Sequence, residues 1–146
     1  MSKGGKGAEA EEQLPEWALI VREPYASYII SGIKTWEIRR YQPRHRGRIG
    51  IVSKEGLLGT VELVTVHGPF TVEELLHKEH WERHRVDETF LRKYARGEPL
   101  YAWELRAPHR FPKPIPIVRP RGPVVWLHRP RRRSSRESGG SDRRTP

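Results

Sequence analysis

The sequence predicts an α+β fold: a small β-barrel of about five to six strands, with one helix directly after the first strand and a helical insertion further on. Three observations carry this. Short apolar or alternating runs of strand length recur from "WALIVR" to "PVVWLHR". The first of them passes straight into a segment that opens with Pro24 and closes with Gly32, the residues suited to the first helical position and to a left-handed cap. Thr71 and Glu74, spaced as a capping box, then open a stretch with helical character between two strand runs.

Taken in order, "WALIVR" is a continuous apolar run that fits a buried strand. In "EPYASYIISG", Tyr25, Tyr28, Ile29 and Ile33 recur as one apolar face requires, which predicts a helix over about residues 24 to 31. "TWEIRRY" alternates, with Trp36 and Ile38 on one face and Glu37 and Arg39 on the other. "RGRIGIVSK" repeats the pattern with Ile49 and Ile51 inward, and "GLLGTVELVTVHG" is the longest β-prone run, with Gly59 a candidate bulge or point of close approach. A second helix is expected from residue 72, and a third in "DETFLRKYARGE", with Asp87 as its N-cap, Phe90, Leu91 and Tyr94 as its apolar face and Gly97 as terminator. "LYAWELR" and "PVVWLHR" supply two more strands. The prolines of "APHRFPKPIPIVRPRGP" between them exclude a central strand and predict a stiff extended crossing. Pairing of the first strands with the last would close the barrel and remove exposed edges.

Of 146 residues, 35% are hydrophobic and 32% charged, and mean hydropathy is -0.78, so the core must be compact and confined to part of the chain. Residues 1 to 13 and 129 to 146 are nearly free of large apolar side chains and read as disordered tails around one domain at 14 to 128. A net charge of +10 and a pI of about 10.4 point to an anionic partner such as nucleic acid. The C-terminal stretch carries seven arginines against Glu137 and Asp142, yet residues 14 to 128 are basic without it. With no cysteine, disulfide and thiolate chemistry are excluded. No run of transmembrane length and no apolar signal-peptide core is present, which predicts a cytoplasmic protein without a membrane partner.

Chemistry concentrates after the first helix. Lys34 follows Gly32 by two residues and Glu37 faces away from Trp36 and Ile38, placing an amine and a carboxylate where the helix meets the strand. Arg39, Arg40, Arg44, Arg46 and Arg48 follow, interleaved with Tyr41 and His45, a pattern that fits phosphate forks with stacking surfaces. His77, His80 and His84 are spaced to share a face of an exposed helix, but "HKEHWERH" lacks the His-Glu-x-x-His arrangement of a zinc helix, so no metal is expected. There is no Gly-x-Ser-x-Gly elbow and no phosphate-binding glycine loop. No cofactor is expected.

"ALIVREPYASYIISGIKTWEIRR", "RGRIGIVSK", "GLLGTVEL" and "YAWELRAP" together resemble the ASCH domain, the activating-signal-cointegrator homology family of the PUA-like superfamily. Its Gly-x-Lys-x-x-Glu signature is matched in order by Gly32, Lys34 and Glu37, and the resemblance covers about residues 17 to 110, with 123 to 128 as a completing strand. It implies a PUA-like barrel with helices around a cleft, the motif lining that cleft, and RNA binding. On this reading Arg22, Lys34, Glu37, Arg39, Arg40, Arg44, Arg46 and Arg48 form a nucleic-acid surface, with Lys34 a donor to phosphate or carbonyl and Glu37 an acceptor or the group that fixes Lys34. The Arg-rich tail offers a handle for a ribonucleoprotein or protein partner. Some bacterial members that resemble this domain are amidohydrolases of acylated cytidine, with the motif lysine as general base or nucleophile-activating group. An enzyme here, whether amidohydrolase or ribonuclease on a modified nucleoside or RNA, would use Lys34 and Glu37. An anionic Glu37 is expected to raise the Lys34 pKa and disfavour the free base, which ranks binding above catalysis.

Overall fold

The computed structural model describes residues 13 to 134. Strand β1 (Trp17–Ile20) leads to helix α1 (Tyr25–Ser31), then to β2 (Trp36–Arg39), β3 (Gly47–Ser53) and β4 (Gly56–Phe70). An insertion of three short helices, α2 (Val72–Leu75), α3 (Lys78–His84) and α4 (Glu88–Ala95), precedes β5 (Leu100–Ile115) and β6 (Trp126–His128). Six strands form one mixed sheet in the order β2-β5-β4-β3-β1-β6, with β1 parallel to β3 and the other neighbours antiparallel. The α+β class is as expected.

The expected barrel is not closed. The first strand does pair with the last, Ala18 opposite Leu127, but at the far end of the order β2 pairs only with β5. Where β1 and β2 approach, the link is a side chain rather than a ladder: Arg39 Nη2 donates to the Ile20 carbonyl at 3.2 Å.

Alternation decides the core. Ile49 and Ile51 point inward with Leu19, Ile29, Ile30 and Trp103 into the cluster beneath α1. Trp36 and Ile38 join Leu75, Val86, Leu91 and Leu100 in a second cluster that fixes the insertion to β2 and β5. A third gathers Ala18, Val52, Leu57, Phe111 and Leu127. Gly59 is the close approach its position indicated: the β4/β5 register shifts there, and a Cβ would meet the His109 carbonyl oxygen. Gly59→Ala is therefore expected to lower stability by about 1–3 kcal/mol, read as a shift in urea midpoint at unchanged slope.

Four expectations are corrected. Ile33 is exposed, because the left-handed Gly32 ends α1 and turns the next residue outward. The helix expected from residue 72 is two helices. Its capping box forms, with Glu74 N–H donating to Thr71 Oγ1 and Thr71 N–H to Glu74 Oε1, but His77 is extended (φ −60°, ψ 143°) and the His80 ring takes up the Glu74 carbonyl at 2.8 Å. His77, His80 and His84 therefore do not share one continuous helix, and His84 is wholly buried rather than on an exposed face. The proline-rich crossing begins inside the sheet: its residues through Ile115 are the second half of β5, and residues 116 to 123 run outside the named strands. Prolines fit there because β2 spans only Tyr101 to Glu104 of its partner, so the segment from Pro108 onward pairs with β4 on one side and has an open edge on the other.

Past residue 128 the chain continues on the domain through Ser134. Arg129 N–H donates to the Glu16 carbonyl, Arg133 N–H to that of Pro116, and Val118 N–H to that of Arg131. The tails at 1–12 and 135–146 lie outside the described residues. Among the described residues no helix is long and apolar enough to cross a membrane.

Candidate functional site

The turn after α1 aims the motif inward. Gly32 adopts φ 88° as the left-handed cap, and its N–H closes on the Ile29 carbonyl; Lys34 N–H then bonds back to Tyr28. Thr35 next spans two elements, its N–H to the Arg83 carbonyl of α3 and its carbonyl to Leu105 N–H of β5. With the backbone pinned on both sides of it, the Lys34 side chain enters the interior. It is 2% exposed.

Its ammonium donates to the His84 carbonyl at 2.6 Å, stands 3.7 Å from Glu37 Oε1 and lies 5.2 Å from the Tyr25 ring centroid. Glu37, also buried, gives its other oxygen to Arg39 Nε at 2.8 Å. One carboxylate therefore serves two cations, in surroundings where their attraction is only weakly screened. The three line a cavity of about 720 Å³ together with Arg22, Tyr25, Phe90 and Tyr94 and aliphatic residues from both ends of the sheet: Ile20 of β1 and Val21 after it, Ile38 of β2, Val124 before β6. The site is the seam the open sheet leaves.

Burial dominates the Lys34 amine. Desolvation pushes its pKa down to about 8, Glu37 pulls it up, and Arg39 adds to the lowering. Glu37 acts in the expected direction, but removal of water from the ammonium outweighs one carboxylate at 3.7 Å already shared with Arg39, so the net shift is downward. The unfolded chain holds this proton to about 10.5 and the folded chain releases it near 8. The unfolded state thus binds more protons between those values, so stability rises with pH across that window. A gain of about 2 kcal/mol in urea unfolding between about pH 7 and about pH 9.5 is expected. A flat profile there would contradict the buried ammonium.

Of the residues expected to bind nucleic acid, Arg22, Lys34, Glu37 and Arg39 share this cavity and Arg40, Arg44, Arg46 and Arg48 do not line it. Arg40 lies behind one wall, 4.4 Å above the Tyr94 ring and bonded to its carbonyl. Arg46 bonds the Pro43 and His45 carbonyls, Arg44 is exposed, and Arg48 bonds the Gln13 carbonyl beside a shallow groove shared with Arg129. Sequence reasoning missed His84. Val86 N–H donates to its Nδ1, so Nε2 carries the proton and donates to the Leu75 carbonyl, while burial lowers its pKa to about 4. The neutral ring thereby holds the peptide whose carbonyl receives Lys34. The aromatic walls were visible only as helix faces, since Tyr25, Phe90 and Tyr94 have the spacing that also builds a core. Among the described residues no three His, Asp or Glu side chains gather closely enough to hold a metal ion.

These features define an α+β domain with a charged, aromatic-walled pocket at the seam of an open mixed sheet. Residues 19–115 match the ASCH domain family, and the chain belongs to it. Its fold is similar to the crystal structure of ASCH from Zymomonas mobilis, at TM-score 0.61 and 20% identity over 87% of this chain and 93% of that one. Structures of two point mutants of the same protein are similar at TM-score 0.60, with 20% and 19% identity, covering 87% and 91% of this chain and 96% and 100% of theirs. No curated protein matches the sequence.

Proposed function

We propose that the chain is an RNA-binding module that receives one nucleotide in the cavity at the seam. The observation that carries this is the joining, in one space of about 720 Å³, of a buried amine, carboxylate and guanidinium with the rings of Tyr25, Phe90 and Tyr94. That volume suits a nucleotide-sized ligand, and such a site pairs apolar contact with a few fixed polar groups. Lys34 donates to a base carbonyl or a phosphate oxygen, Glu37 accepts from an exocyclic amine, and the rings pack on the base. Arg22 at the mouth and the exposed arginines beyond the cavity hold phosphates, as the net charge of +10 favours. Binding of single-stranded RNA should weaken with salt, each phosphate contact contributing a slope of about −0.7 in the log-log plot. A slope near zero, measured by fluorescence anisotropy, removes the electrostatic part of the reading.

One observation favours a second reading. With a pKa of about 8, roughly a tenth of Lys34 is neutral at pH 7, enough for a general base acting on a modified nucleoside or RNA. Incubation with acylated cytidine and with labelled RNA decides it: turnover lost on substitution of Lys34 supports an amidohydrolase or ribonuclease.

A further inference from the structure

The strand that carries Glu37 into the seam presents Trp36 on its opposite face, and there a second cavity of about 560 Å³ opens. Its floor is aromatic. The Trp36 ring is stacked with His67, Phe70 and His80 at centroid distances of 5.1, 5.6 and 5.4 Å, their planes 23° to 29° apart. Arg83 stands over Trp36 at 5.3 Å, and Arg106 reaches in from β5 to the Glu104 carboxylate. The two imidazoles are oriented by their partners. His80 Nδ1 must donate to the Glu74 carbonyl and His67 Nε2 to Glu104 Oε1, which leaves the other nitrogen of each ring for a ligand.

We infer that this cavity is a second nucleotide subsite, separate from the Lys34 cavity and on the other face of β2. A planar base adds one more layer to the ring stack over the half-exposed His67 and His80, the remaining ring nitrogens and the Glu104 carboxylate meet its polar edge, and the forked guanidiniums of Arg83 and Arg106 take its phosphate. Two arginines against one carboxylate leave the cavity cationic, and beside the core rings of Trp36 and Phe70 it is lined by the partly exposed rings of His67 and His80. The ligand class rests on the RNA reading above; the site itself does not.

The test titrates the full chain with each of the four nucleoside 5′-monophosphates and, separately, with inorganic phosphate. Calorimetry reads stoichiometry, and NMR reads the His67 and His80 ring resonances and the Trp36 indole. Two sites are expected, with the ring resonances reporting one of them. Arg83→Gln and Arg106→Gln should each weaken that site about tenfold and leave the other untouched. Arg83→Lys, which keeps the charge and the helix but loses the fork, should reproduce most of the loss, so a folding defect in one variant does not decide the matter. Nucleotide shifts at the Lys34 cavity alone, with His67 and His80 silent, overturn this inference and leave the proposed function standing. Ring shifts with a silent Lys34 cavity do the reverse. Equal shifts with inorganic phosphate and with nucleotide mark an anion site and overturn it as well.

Discussion

Lys34→Met is expected to weaken nucleotide binding at the seam severely while leaving the fold about as stable as the parent at neutral pH. On the proposed function the two effects separate, because the amine's burial opposes folding while its charge is what a nucleotide would meet. Holding a proton in a group whose folded pKa is about 8 rather than 10.5 opposes folding by about 3 kcal/mol near pH 7. Its bond to the His84 carbonyl and its share of Glu37 return part of that. Methionine fills similar space without the charge, and Glu37 keeps Arg39, so the net change in unfolding free energy should stay within about 1 kcal/mol. Affinity for a nucleotide should fall about a hundredfold, since truncating one member of a buried charged contact removes several kcal/mol of binding. Calorimetry and urea unfolding measure the two quantities. The variant should also lose the rise in stability above pH 8; if it binds nucleotide like the parent, Lys34 is not part of the site.

Glu37→Gln should do the opposite. The carboxylate is the only anion the seam offers to Arg39 at 2.8 Å and Lys34 at 3.7 Å among its lining residues. Without it two cations share a space largely closed to water, and a loss of about 3–5 kcal/mol is expected. Arg39 cannot shed its proton, so Lys34 must, and its pKa should fall below the parent's value because the strongest raising influence is gone. Unfolding by urea measures the first effect and NMR titration of the Lys34 methylenes the second. A parent-like midpoint would mean that the two cations are hydrated in solution.

Much of this arrangement was legible in the sequence, because it is set by short-range rules. Pro24, Gly32 and the alternation of Trp36 to Arg39 placed Lys34 and Glu37 at a helix-to-strand junction, and the capping residues Thr71 and Asp87 marked two helix starts. What local pattern does not encode is distance between segments far apart in the chain. That the His84 carbonyl, fifty residues on, would be the lysine's acceptor depends on the break at His77, which depends in turn on a histidine ring reaching back to Glu74. The net direction of the Lys34 shift was hidden for the same reason: spacing shows a neighbouring carboxylate, whose raising effect is present, but only packing shows how completely water is gone. The arginine run dispersed because adjacent residues on a turn diverge, and backbone carbonyls claimed several of them.

An open sheet ordinarily invites a second chain to extend it, yet each rim of this one is a poor template. One rim ends in β6, three residues long; the other shows four residues of β2 and then the half of β5 where Pro108, Pro112 and Pro114 offer no amide hydrogen to an incoming strand. Imino acids that looked like a reason to leave the sheet act as its selvedge, so the fold can keep a gap for a ligand without becoming a seed for polymerisation.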